Sequence, residues 1–432
     1  MALRTLNACR REAAAPKVLA AAGRLGSMTP PAFDGMAASS PLTSPVPAVR
    51  PDTTPLPAGH PLSQGLTVDS PLLNQYRGGR DARGNPTKPA RRPVWFMRQA
   101  GRSLPEYRQL REGTTMLDAC LTPEMAAEIT MQPVRRHDVD AAIFFSDIVV
   151  PLRLAGIDVD ILPGVGPVLS SPVRTAEEVA ALPELDDSAF EPVREAVALT
   201  VQKLAEHGDG TVPLIGFAGA PFTLAAYMVE GRPSRDHLGP RTMMHDEPET
   251  WDALASWASD VSGRFMRAQV EAGASAAQLF DSWAGSLGRK DYASFVQKHS
   301  AAAFSHLSGL VAGGPGGEEV RPPVVHFGTG TGEILDLMRE AADVGGPAAV
   351  VGVDYRITLA EAGRRVGPET ALQGNIDPAL LSAPWEVLQA HVREVIDAGA
   401  DAPGHVLNLG HGVPPETDPV VLTRLVELIH GA

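Results

Sequence analysis

Arg98, Arg102, Arg108 and Arg111 all fall in the stretch "RQAGRSLPEYRQLR", directly behind the apolar run "VWFM", and Glu106 is the one acid among them. A guanidinium is a planar fork of donors that stays charged and grips carboxylate or phosphate through paired hydrogen bonds. Each charge-assisted contact is worth roughly 1.5–3 kcal/mol. Several forks on one loop and helix therefore suit a small molecule bearing many anionic groups. The opposing reading is a solvated, salt-bridged surface face, and the shortage of acids counts against it. From Lys88 to Arg111 seven residues are basic (Lys88, Arg91, Arg92, Arg98, Arg102, Arg108, Arg111) against that single acid, in a chain of formal net charge −14.

Other chemistry-bearing residues stand where apolar runs stop. "AAIFFSDIVVPL" carries Asp147 at the end of such a run. An ionised carboxylate there is costly unless partnered. It could stabilise a cation formed during a reaction, move a proton, or simply cap the next turn. "LIGFAGAPFTLAAYMVEG" brings Tyr227, "LFDSWAGSLG" brings Ser282, and "LNLGHGVPPETDP" sets His411 between two glycines. Any one of these is more often structural than functional; three at run ends point to a shared pocket. "HFGTGTGEI" imitates a dinucleotide-binding loop, but its spacing is GxGxG rather than GxGxxG. It reads as a strand-to-helix loop with close backbone approach.

The elements that must position these residues follow from the pattern. The runs "PVWFM", "AAIFF", "VPLIGFA", "ASAAQLF", "PPVVHF", "AAVVGV", "TALQG" and "GHVLNL" are nearly continuous in apolar residues. Segments such as "DALASWASDVSGRFMRAQVEAG" and "DPVVLTRLVELIHG", with helical periodicity, lie between them. Apolar runs alternating with helices are the mark of buried parallel strands. Eight such units predict a single-domain (β/α)8 barrel, in which chemistry gathers where strands pass into loops. A doubly wound open sheet is the structural alternative. "IDVDILPGVGPVLSSP", after the second run, reads as a β-hairpin.

Composition narrows the function classes. The 432 residues are 44% hydrophobic and 20% charged, enough for a sizeable core. The negative balance argues against general affinity for nucleic acid or anionic membranes. No apolar stretch reaches the ~20 residues that span a bilayer. Cys9 and Cys120 are too few for a disulfide framework, a four-thiolate zinc site or an iron–sulfur cluster. Residues 1–65, rich in Ala, Pro and Ser, read as a disordered extension, with the barrel at 66–432. Met28 and Met36 are alternative starts, and the early arginines loosely imitate an organelle transit peptide. Cytoplasmic residence is the default expectation; a plastid address is the alternative.

Taken together and in order, "PVWFMRQAGRSLPEYR", "FFSDIVVPL", "GFAGAPFTLAAYMVEG", "LFDSWAG", "LQGNIDP" and "NLGHG" resemble the uroporphyrinogen decarboxylase family across 92–432. The resemblance implies a (β/α)8 barrel that removes four acetate carboxyls from uroporphyrinogen III without a cofactor or metal, giving coproporphyrinogen III and CO2. It also implies a homodimer. By matching position, Arg98, Gln99, Arg102 and Arg111 fall in the substrate site, with Asp147 as the central aspartate. Tyr227, Ser282 and His411 complete the set, and Asp147, Arg98 and Tyr227 are the expected catalytic residues. Trp283 stands where some members carry His. Methyltransferases with the same barrel bind zinc through late His and Cys ligands, and this chain has no late cysteine. A tetrapyrrole carrier that binds without turnover is the non-enzymatic alternative.

Overall fold

The structure is a computed structural model and describes residues 53–344 and 349–432. The extension expected at 1–65 therefore lies, up to residue 52, outside the described residues.

Seven strands form one parallel sheet in sequence order: Ala142–Ile143, Leu214–Gly219, Ala276–Asp281, Val324–Gly328, Ala349–Gly352, Ala371–Gln373 and His405–Val406. All six residues of Leu214–Gly219 and all five of Val324–Gly328 are buried, because helices cover the outer face and side chains fill the inner one. The eighth run of sequence, around Val94, closes the ring. Val94 bridges Leu407 in parallel on one side, and its carbonyl accepts from the Asp140 N–H (2.8 Å) on the other. The Asp140 carboxylate also accepts the Val94 N–H (2.8 Å) and is held by Arg91 (2.9 Å) and His430 (2.8 Å). All eight expected runs are thus strands or bridges of a closed (β/α)8 barrel.

The barrel interior is fastened by polar side chains. Gln373 donates to Gln278 at 3.0 Å although their strands are not neighbours. Tyr76 donates to Gln373 and accepts from Trp95 at 3.1 Å. These buried groups satisfy one another, which keeps the desolvation penalty small. Outside, helices such as Pro248–Glu271 and Pro419–His430 begin with proline in the first turn, where no helical N–H bond is lost. The hairpin read from the sequence is present as Val159–Leu162 paired antiparallel with Gly166–Leu169.

The boundary expected at residue 65 is corrected. Thr54–Pro55 pairs in parallel with Leu310–Val311. Leu62 is fully buried, and the His60 ring lies 3.0 Å from the Val270 carbonyl. The prolines and glycines here shape a close-packed surface strap, although their composition suggests an unstructured tail. Leu62→Ala is expected to destabilise the protein by about 2–5 kcal/mol. Urea unfolding checks this; a shift under ~0.5 kcal/mol would place the segment outside the core.

Candidate active site

At the carboxyl end of the strands lies a cavity of about 950 Å3. Its wall includes Arg98, Arg102, Arg111, Asp147, Tyr227, Ser282 and His411, contributed by loops and helices that follow five different strands. Seven of the eight site residues expected from the sequence therefore meet in one space. Gln99 does not. Its side chain is fully buried beneath the loop, accepting from Phe96 N–H (3.0 Å) and donating to the Ala141 carbonyl (3.0 Å). It anchors the turn that presents Arg98.

The four arginines divide by role. Arg108 donates to the backbone carbonyls of Arg102 (2.6 Å) and Ser103 (3.3 Å) and braces the loop. Glu106 is engaged bidentately by Arg136 at 2.6 and 2.7 Å. Arg98, Arg102 and Arg111 consequently form no ion pair with any described residue. Arg111 is aimed by Tyr107 Oη (2.8 Å) and the Thr114 carbonyl (2.8 Å), at the end of the Pro105–Leu110 helix. Arg98 adopts φ +61°, a left-handed conformation uncommon for a residue with a side chain. Such strain of order 1 kcal/mol persists where the surroundings fix it.

The glycines that flank His411 make room for two close approaches. A Cβ on Gly412 would stand 2.5 Å from Arg98 Cδ, so the arginine stem lies across bare backbone. A Cβ on Gly410 would meet the Tyr355 backbone N at 2.3 Å. His411 Nδ1 accepts from the Gly412 N–H at 2.7 Å. Burial, with the Arg98 charge adding to it, lowers the imidazole pKa and favours the neutral ring.

Asp147 accepts the Val149 N–H through Oδ1 at 3.1 Å, so it also caps its turn. Burial pushes its carboxyl above the usual range, while the Val149 N–H and the Arg98 charge pull the other way. Tyr227 is buried on the next wall; desolvation, reinforced by the Asp147 charge, raises its phenol pKa. Its ring lies 4.0 Å from that of Trp283, which lies 4.3 Å from that of His237. Opposite the charged loops, Phe217, Phe280 and Phe327 pack edge to face at 5.4 and 6.0 Å. These phenylalanines close three consecutive strands, and in the sequence nothing distinguishes them from core residues.

Behind the cavity is a buried pair: Asp281, which ends an apolar run of the sequence beside Ser282, and His326, which lies inside another run and carried no signal there. Asp281 is fully buried, with Thr223 donating to its Oδ1 at 2.9 Å. Its Oδ2 faces His326 Nε2 at 3.9 Å, too far for a hydrogen bond, and neither atom has another partner. Burial raises Asp281 to about 7 and lowers His326 to about 4. Thr223 also accepts the Trp283 N–H (3.3 Å), tying this pair to the cavity wall.

The fold and site together define a (β/α)8 barrel with a cationic, aromatic-lined cavity for a polyanionic small molecule. The family model described as uroporphyrinogen decarboxylase (URO-D) matches residues 80–432. A curated relative from Arthrobacter sp. (strain FB24), named uroporphyrinogen decarboxylase, is 69% identical over 367 residues, covering 85% of this chain and 98% of the relative. One of the same name from Leifsonia xyli subsp. xyli is 58% identical over 381 residues, covering 86% and 96%. The chain belongs to the uroporphyrinogen decarboxylase family. A solved methyltransferase from Methanosarcina mazei shares the fold at TM-score 0.65 and 19% identity, covering 84% of this chain and 98% of that one.

Two outcomes test this geometry. Gly412→Ala should push the Arg98 stem aside and lower catalytic efficiency at least about tenfold with little change in Tm, a fold change equal to ~1.4 kcal/mol. Steady-state kinetics beside thermal unfolding check it. Asp281 binds a proton in the folded state between pH ~4 and ~7 that the unfolded chain releases, so it loses stabilising power as pH rises through that window. Asp281→Asn should therefore gain stability relative to the native protein from pH 4 to 7, by at most about 1.4 kcal/mol per unit. A constant difference across those pH values would refute the shifted carboxyl.

Proposed function

We propose that this chain removes the acetate carboxyl groups of uroporphyrinogen III, giving coproporphyrinogen III and CO2, with the cavity described above as its active site. The observation that carries the reading is the set of three guanidiniums without acid partners on the wall that also holds Asp147. The substrate is an octacarboxylate macrocycle, and Arg98, Arg102 and Arg111 clamp its carboxylates.

Losing CO2 leaves an electron pair on carbon that must be stored. A pyrrole protonated on a ring carbon is an iminium-like cation and can store it. Cleavage of the C–CO2 bond then sends the pair into that ring and makes an exocyclic double bond. A proton returns to the exocyclic carbon, creating the methyl group, and the ring carbon gives up its own proton. The sum is one proton consumed and one CO2 released for each acetate.

In this reading Asp147 accepts hydrogen bonds from the pyrrole N–H groups and stabilises the cationic ring. A carboxylate in a poorly hydrated site acts strongly on nearby charge. Arg98 favours its ionised form. Arg98 and Tyr227 are the neighbours placed to handle the proton. Both are weak acids: a guanidinium keeps its proton, and burial strengthens the phenol's hold on its own. A substrate-bound water is the third candidate. The phenylalanine wall takes a macrocycle face, and Ser282 and His411 offer polar contacts at the rim.

We further infer a homodimer in the cytoplasm. The relatives reported come from bacteria, which have no plastids, and no helix among the described residues is long and apolar enough to cross a membrane.

The test is anaerobic incubation with uroporphyrinogen III, oxidation, and separation of the porphyrins by carboxyl number. Seven-, six-, five- and four-carboxyl products are expected. Asp147→Asn should lose about 10²-fold or more in rate while remaining folded by circular dichroism. Near-native turnover in that variant would remove Asp147 from its assigned role.

A further inference from the structure

Arg98, Arg102 and Arg111 all descend from the first strand, so they populate one side of the cavity. A ligand with carboxylates around its whole perimeter needs a cation on another side as well. We infer that Arg356 is that cation: a rim residue that binds a propionate carboxylate of the macrocycle. The inference rests on the reading above of a polycarboxylated tetrapyrrole substrate.

Arg356 lies beyond the Ala349–Gly352 strand, three strands round the barrel from Val94. Its Nη1 donates to Asp354 Oδ2 at 2.6 Å, and its backbone N–H to Oδ1 at 3.1 Å. Asp354 is buried and also accepts the Gly330 N–H at 2.6 Å. The guanidinium carbon stands 4.8 Å from the Tyr355 ring centroid, so one face is packed as well. Despite this anchoring, the Arg356 side chain is 51% exposed, and its Nε and Nη2 have no partner among the described residues. A fork is thus held in place with one edge in solvent.

Arg356 and its neighbour Tyr355 stand beside two residues, Gly330 and Gly410, that adjoin the cavity wall in the chain. Gly330 follows the cavity residue Thr329, and a Cβ on Gly330 would lie 3.7 Å from Arg356 Nη1. Gly410, whose missing side chain admits the Tyr355 backbone, precedes the cavity residue His411. His411 feels two guanidinium charges, that of Arg98 and that of Arg356. Pairing with Asp354 occupies one corner of the fork, and two backbone N–H groups share that carboxylate, so the rest of the guanidinium is left for another acceptor.

A propionate is the fitting partner for a chemical reason. Each turnover must bring a different acetate to Asp147, and acetates disappear as the reaction proceeds. A fixed rim contact can serve every intermediate only through groups that survive, and the propionates do.

The experiment titrates the full-length protein with uroporphyrin and with coproporphyrin, reading porphyrin fluorescence, for the native chain, Arg356→Gln and Arg356→Lys. Arg356→Gln should weaken both porphyrins about tenfold, as expected for one lost charge-assisted contact. Arg356→Lys keeps the charge but loses the fork, so it should fall between. With uroporphyrinogen as substrate, KM should rise in Arg356→Gln by a similar factor while kcat falls less, a split that a merely structural lesion would not produce. Native-like titrations of both variants would overturn the inference. Weakening confined to uroporphyrin would overturn the assignment to a propionate. A native protein that binds porphyrin but releases no CO2 would sink the decarboxylase reading and leave the Arg356 result to be judged on the titrations alone.

Discussion

Closure of the barrel at Val94 is the constraint on which the site depends. An open sheet would leave the first strand at an edge, with Arg98 and Arg102 beside the second strand only. In the closed ring Val94 bonds to the Asp140 segment and to Leu407 together, so the Arg98 loop lies between the Asp147 loop and the His411 loop. Asp140 carries much of this joint. It takes the Val94 N–H, Arg91 and His430 on one buried carboxylate, and a charge so placed is tolerable only because all three partners are present. Part of the basic stretch thus builds the seam rather than the site.

The same economy of partners leaves the cavity cationic. Glu106 is turned outward onto Arg136, Asp140 is taken by Arg91, and Asp354 holds Arg356 by one corner of its fork. These three acids therefore have partners other than Arg98, Arg102 and Arg111. The three remaining guanidiniums can stay charged without acid partners because the cavity is large enough to hydrate them when no ligand is bound. An entering polyanion replaces that water with charge-assisted contacts, which are stronger than neutral ones.

How much of this the sequence disclosed depends on what the signal was. Eight apolar runs and the hairpin were readable because burial of a strand or of a two-stranded ribbon imposes a local pattern. Residues such as Asp147 and His411 stood out as polar groups at run ends. Gln99 could not be separated from its neighbours, since inward and outward positions in a loop follow no period. Phe217, Phe280 and Phe327 were hidden for the opposite reason: a ring that lines a cavity and one that fills a core are the same letter in the same place. The strap from Thr54 to Leu62 was misread because proline and glycine report backbone freedom, and partners far along the chain decide whether that freedom is used. Asp281 and His326 lie 45 positions apart and only the barrel brings them together.

The arrangement of charge also sorts the parts of a ligand. Asp147 is an acceptor within a field of donors, and a second carboxylate brought against it would raise both pKa values at a cost. Carboxylates are therefore driven toward the arginines and away from Asp147, while a group rich in N–H is drawn to it. The phenylalanine edges on the remaining wall favour a flat apolar face. A ligand that satisfies all three walls must carry N–H donors at its centre, carboxylates at its periphery and a broad ring between. A small di- or tricarboxylate could meet the arginines, yet it would leave Asp147 without donors and the aromatic wall in water. The selectivity thus comes from the mismatch of walls more than from any single clamp, and it requires the barrel to hold loops from both sides of the seam at fixed separation.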